Sequence, residues 1–186
     1  MTDAAHGTSG SLSQMNEADT PPVEPGIRMS FTVGELLSSY ARILAELRER
    51  GVVRSAPAGD YAEWLCSRAL DATLVDNFSV KSHDLVLTDG RRVQVKARVT
   101  SEPPRAGQLQ TSPFRSWDFD LAAFVLLRDY DYAVQRAVLV PVEVVRAQST
   151  YRSHINGSVV MMRSALFDHE DAGDITDRLR VAASQD

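Results

Sequence analysis

The chain has 186 residues, 44% of them apolar, a size that suits one domain with a sizeable core. Its formal charge of −5 excludes a protein that holds nucleic acid by bulk electrostatics, though a local basic face is still compatible with it. A single cysteine, Cys66, excludes an internal disulfide and any cysteine-based metal cluster; it is read as a small core residue in a reducing compartment.

Residues 1–29 are rich in Ser, Thr, Pro, Gly, Asp and Glu and nearly lack large apolar side chains, which predicts a disordered tail ahead of one domain over 30–186. No stretch reaches the ~18 apolar residues of a membrane span, and the N-terminus has neither a basic nor an apolar signal region. No membrane partner and a cytoplasmic location are expected.

From Thr32 onward, Val33, Leu36, Leu37, Tyr40, Ile43, Leu44 and Leu47 recur at helical spacing; Thr32 and Glu35 form a capping box and Gly51 marks the stop. The stripe serves the core or a face for a second copy of the chain, so a homodimer stays open. A second helix is predicted from about Asp60, its N-cap, to Leu70, with Tyr61, Trp64, Leu65 and Leu70 available for burial.

Two strands follow, 83–88 and 91–99, joined at Asp89-Gly90. A two-residue turn would set apolar Leu85 and Leu87 against polar Gln94 and Arg92. A three-residue loop, Thr88-Asp89-Gly90 with Gly90 left-handed, instead sets Leu85 against Val93 and gathers Leu85, Val93, Val95 and Ala97 on one face. Burial selects this second register, because a one-residue slip moves every side chain across the sheet. Asp84 then comes opposite Gln94, with Lys96 two residues along on the same side.

Residues 100–114 form a long Pro-rich loop. Leu121–Leu127 reads as a buried central strand, 132–140 as another, and Pro141–Gln148 as a short helix with proline in its first turn. Asn156-Gly157 marks a hairpin from His154 to Met162, and Asp174 caps a last amphipathic helix through Ala183. There is no internal repeat. The order predicts a mixed α/β (α+β) sheet covered by helices.

Residues 81–115 hold Lys81, Arg91, Arg92, Lys96, Arg98, Arg105 and Arg115 against Asp84, Asp89 and Glu102, a local +4 that leaves the rest of the chain at −9. On charge alone this is a phosphate-binding face or a solvated surface.

Asp84, nine residues, then Gln94-Val95-Lys96, with Glu63 in "GDYAEWL" before and "FDLAAFVLL" after, resembles the core of the PD-(D/E)XK nuclease superfamily, the restriction-endonuclease-like fold, over roughly 58–145. "GDYAE", "DGRRVQVK" and "DLAAFVLLRDYDY" together are similar to small bacterial proteins of a largely uncharacterised branch. The resemblance implies a central mixed sheet flanked by helices, here with an added N-terminal amphipathic helix. It also implies hydrolysis of phosphodiester bonds, with DNA as the expected partner and Mg²⁺ or Mn²⁺ as cofactor. Asp84 is then the main carboxylate ligand, Gln94 and the Val95 carbonyl complete the metal shell, Glu63 adds an acid, and Lys96 serves the water. Arg92, Arg98, Arg105 and Arg115 hold the nucleic-acid backbone. Gln94 stands where glutamate is expected, which removes a charge from the metal shell.

Plainer readings stand beside these. Glu63, three after Asp60, completes a helix cap; Asp84 is turn chemistry; Gln94 and Lys96 lie on a solvated strand face. His83 is read as structural; His154 and His169 share no metal-ligand spacing. Phe114 and Trp117, just ahead of a buried strand, serve the core or stack on a base. The competing function is a binding module that keeps the fold and the basic face without cleaving.

Overall fold

The computed structural model describes residues 31–49, 58–75 and 82–185, all within one compact unit that begins at Phe31. The expected tail, Gly51 and Lys81 lie outside the described residues.

Helix α1 spans Val33–Glu49. The Thr32 N–H donates to Glu35 Oε2 at 2.9 Å, and the Glu35 N–H donates to Thr32 Oγ1 at 3.2 Å, so the capping box forms as its sequence requires. Its apolar stripe divides in two. Ala41 and Leu44 are buried, whereas Leu36, Tyr40 and Ile43 stay exposed; the side chain of Leu47 lies outside the described residues.

Helix α2 spans Ala58–Leu70, two residues longer at its start than Asp60 as a cap would allow. Asp60 therefore sits within the first turn, where its charge complements the helix dipole. Tyr61 and Leu65 are buried, while Trp64 and Leu70 pack partly buried against the same core.

Among the described residues six strands form one sheet, in the order β1 (Thr73–Leu74), β2 (Leu85–Val86), β3 (Arg92–Thr100), β4 (Leu121–Arg128), β5 (Val134–Pro141) and β8 (Gly173–Asp174). All neighbours are antiparallel except β3 and β4, which run parallel. The sheet is therefore mixed and helix-flanked, as expected. The predicted hairpin register holds: Leu85 pairs with Val93 and Val86 with Arg92. Gly90 adopts φ +86°, the Leu87 N–H donates to Arg91 O, and the Gly90 N–H donates to Leu87 O, both at 2.9 Å. Strand β2 is shorter than the expected 83–88.

Parallel β3 and β4 need a crossover, supplied by residues 101–120, in which Ala106–Leu109 form a single 3₁₀ turn. Strand β5 runs directly into helix α3, Val142–Ala147, and Pro141 is its N-cap rather than a first-turn residue. The expected 154–162 hairpin starts earlier, with β6 (Thr150–Arg152) pairing with β7 (Gly157–Val159) through Asn156 at φ +46°. Helix α4 spans Ser164–Phe167 and helix α5 Thr176–Ser184. The N-cap of the last helix is Ile175 rather than the expected Asp174, which sits one residue earlier and accepts from the Thr176 N–H through Oδ1 at 2.7 Å.

Alternation along β3 and β4 builds two cores. Leu85, Val93, Val95, Ala123, Val125 and Leu127 meet α2 and α5 on one side. Ala122, Phe124 and Leu126 meet Phe114, Val160, Met162 and Leu166 on the other. No helix among the described residues is long and apolar enough to cross a membrane.

Candidate active site at the edge of strand β3

Among the described residues β2 pairs with β3 only at Arg92 and Val93, and β4 pairs with it from Val93 onward. The Asp84 N–H donates to Val93 O and the Asp120 N–H to Arg92 O, both at 2.9 Å, which fixes the alternation: odd residues face the β2 side and even ones face β4. The Val95 N–H and C=O thus point to an edge where β2 has ended. Asp84 substitutes for the missing strand. Its Oδ2 accepts from the Val95 N–H at 2.6 Å and also from the Gln94 side-chain amide. The carboxylate and amide expected to meet do so, one backbone position out of regular register, because the Asp84 N–H has slid to Val93 O.

Burial pushes the Asp84 carboxyl above its ordinary range, against the Val95 N–H, Lys96, the Gln94 amide and His83, which pull it down. Lys96 is pulled down by burial, opposed by the charges of Asp84 and Glu63. Its ammonium lies 4.9 Å from the centroid of the Phe114 ring, a cation–π contact. Cys66 is fully buried in the first core, and its thiol is pushed up to about 12 by burial and then by Asp84 and Glu63. The charges of Asp84 and Glu63 act both on Cys66, in the first core, and on Lys96, whose side chain lies on the even face of β3 over Phe114. With Asp60 already inside the helix, Glu63 is not the partner of an Asp60 cap.

The even face of β3 is not a solvated face. Gln94, Lys96 and Arg98 lie in register with Ala122, Phe124 and Leu126, and the crossover covers them. Arg98 is partly buried, donates to the Gln110 carbonyl and is pulled down by burial. Arg92 is engaged by Asp118, by Asp120 at 3.4 Å and through its backbone N–H by Asp120 at 2.7 Å. Arg105 and Arg115 are exposed. Phe114 is buried in the second core and stacks on Trp117, centroids 5.4 Å apart at 8°. His83 accepts or donates at Nδ1 with Ser82 Oγ at 3.0 Å.

No group of three His, Cys, Asp or Glu side chains among the described residues could hold a metal. The oxygen donors that the sequence reading names are the carboxylate of Asp84, the Gln94 amide and the Val95 carbonyl along the β3 edge, with the Glu63 carboxylate on α2. These are the hard oxygen ligands that Mg²⁺ and Mn²⁺ take. The set fits provided Gln94 turns its amide over, replacing the N–H given to Asp84 with Oε1.

The burial of Asp84 sets a pH dependence. Its folded pKa lies above the unfolded value of about 3.9, so the folded chain holds more protons between the two values. Stability from this group is full below the unfolded value and is lost as pH rises through the folded one. Urea midpoints measured from pH 4 upward are expected to show that fall in the wild type and to lack it in Asp84→Asn.

Compared with known proteins, the chain matches no family model and no curated sequence.

Proposed function

We propose that the β3 edge hydrolyses phosphodiester bonds of nucleic acid, DNA foremost, with a bound Mg²⁺ or Mn²⁺, in the manner of the PD-(D/E)XK nucleases. The observation that carries the reading is the Asp84 carboxylate accepting from the Val95 N–H of β3, with Lys96 next in the strand. The run α2, β1, β2, β3 and then parallel β4 supports the same reading, since it lays an acid-bearing helix over a hairpin and a buried parallel strand.

Asp84, Glu63 and the Val95 carbonyl would hold the cation, joined by Gln94 Oε1 once its amide turned over. When bound, it acidifies a water and offsets charge on the phosphate. Lys96 donates a hydrogen bond to the scissile phosphate and stabilises the negative charge that grows there as the water oxygen bonds to phosphorus and the ester oxygen departs. The water's proton leaves to bulk solvent and the departing ester oxygen is protonated from it, so the ammonium of Lys96 keeps this single role. The first core, closed by Leu85, Val93 and Leu65, packs α2, the helix that carries Glu63, against β3.

A second reading, a nucleic-acid-binding module without cleavage, draws on Gln94, whose amide donates to Asp84 and supplies no charge. Incubation of plasmid and single-stranded DNA with Mg²⁺ or Mn²⁺ separates the two. Cleavage that disappears in the Asp84→Ala, Lys96→Ala double variant is expected. Salt-sensitive binding with no cleavage at any cation concentration assigns the chain to the second reading.

A further inference from the structure

The second core is not closed over its whole width. Beside α4 it opens into a groove of about 680 Å³, within the ~300–1,000 Å³ of small-molecule sites. Strand register builds its floor. Phe124 pairs with Val138 across β4 and β5, and two residues along Leu126 pairs with Arg136, so this face of the sheet passes from apolar side chains to an arginine. The Met162 N–H donates to Leu109 O at 2.8 Å, which brings the chain after β7 onto the crossover. Leu109, Leu126, Met162 and Phe167 all line the groove.

Its rim is cationic. Arg136 and Arg163 line the groove, whereas no Asp or Glu does. The Arg136 guanidinium lies 4.7 Å from the centroid of the Phe167 ring and donates through Nη2 to Asp168 Oδ1 at 2.8 Å. Its Nε and Nη1 make no hydrogen bond among the described residues. Arg163 leads into α4, where its carbonyl accepts from the Leu166 N–H at 2.9 Å. Its exposed side chain makes no ion pair among the described residues. One concave surface thus joins apolar walls to two arginines with free donors.

We propose that this groove binds a small amphiphile with one carboxylate head and an unbranched aliphatic tail. The carboxylate meets Arg136 and Arg163, whose forked N–H groups match its two oxygens. The tail lies along Leu109, Leu126 and Met162 and loses its contact with water there. Charge selects the head: a cationic amphiphile would be repelled by both arginines, and a neutral one would cover their donors without replacing the water on them. Shape selects the tail, since a purely polar anion leaves the apolar floor unused. The inference does not depend on the reading of the β3 edge.

The test titrates the full chain with decanoate, kept below its micelle concentration, by calorimetry and by spectra of methyl-labelled methionine. Decanoate is expected to bind at one site and to shift the Met162 methyl resonance. Each methylene added from hexanoate to decanoate should tighten binding by about two- to fourfold. Arg136→Gln and Arg163→Gln should each weaken decanoate by about tenfold, with thermal melts showing which variants stay folded. Ala165→Phe, at a small exposed residue that lines the groove, should fill it and abolish binding. No decanoate binding, affinity that ignores tail length, decyltrimethylammonium binding as tightly as decanoate, an unchanged Arg163→Gln, or a site that survives Ala165→Phe overturns the proposal.

Discussion

Lys96→Met is expected to slow cleavage by about two to four orders of magnitude while the protein stays folded. Methionine matches the length of the lysine stem and keeps an S–aromatic contact with Phe114, so the packing that surrounds Lys96 survives. The cation beside Asp84 and Glu63 does not. Without it Asp84 loses a charge that stabilises its ionised form, and the phosphate loses its partner for the charge that develops on it. Lys96→Arg should recover little, because a guanidinium stacked on the ring is broader than the ammonium and presents its N–H groups to the phosphate from other positions. Single-turnover rates beside thermal melts of the same variants check this; a Lys96→Met enzyme that cleaves at the wild-type rate removes the lysine from the chemistry.

Phe124→Ala is expected to cost about 3–5 kcal/mol of folding stability. Phe124 is fully buried at the middle of β4, opposite Lys96 in the parallel register. Its ring meets Phe114 edge-on at 6.2 Å. Truncation leaves a cavity under the ring that carries Lys96, and a loss of this size is a large fraction of the ~5–15 kcal/mol that holds a domain together. Urea unfolding gives the value directly. A loss below about 1 kcal/mol would mean that the second core closes around the gap.

Local pattern carried much of this structure. The capping box at Thr32 and Glu35 and the Gly90 loop are each decided within four or five residues, by hydrogen bonds or by a left-handed φ. The hairpin register follows from the same short range, because burial of Leu85 and Val93 tolerates no slip. What the sequence left illegible depends on distant partners. Strands β1 and β8 have two residues each, too short for any periodicity, and exist because β2 and β5 offer free edges. Arg92 belongs to a basic run in sequence, yet Asp118 and Asp120 arrive from more than twenty residues away to occupy it. Conversely, Arg152 stands outside that run and comes near Arg115 only through the pairing of β6 with β7 and of β7 with residue 114. At the site, spacing alone implied that Asp84 and Gln94 meet; that the carboxylate also takes the Val95 N–H follows from β2 ending early, which no local signal announces.

Manganese binding to the full chain, followed by electron paramagnetic resonance beside Asp84→Asn, bears most directly on the β3 edge as a metal-dependent site. One Mn²⁺ bound per wild-type chain, released by Mg²⁺ and absent from a folded Asp84→Asn, is the predicted result. A folded wild type that leaves all its Mn²⁺ free, or an Asp84→Asn chain that binds as well as the wild type, would contradict it.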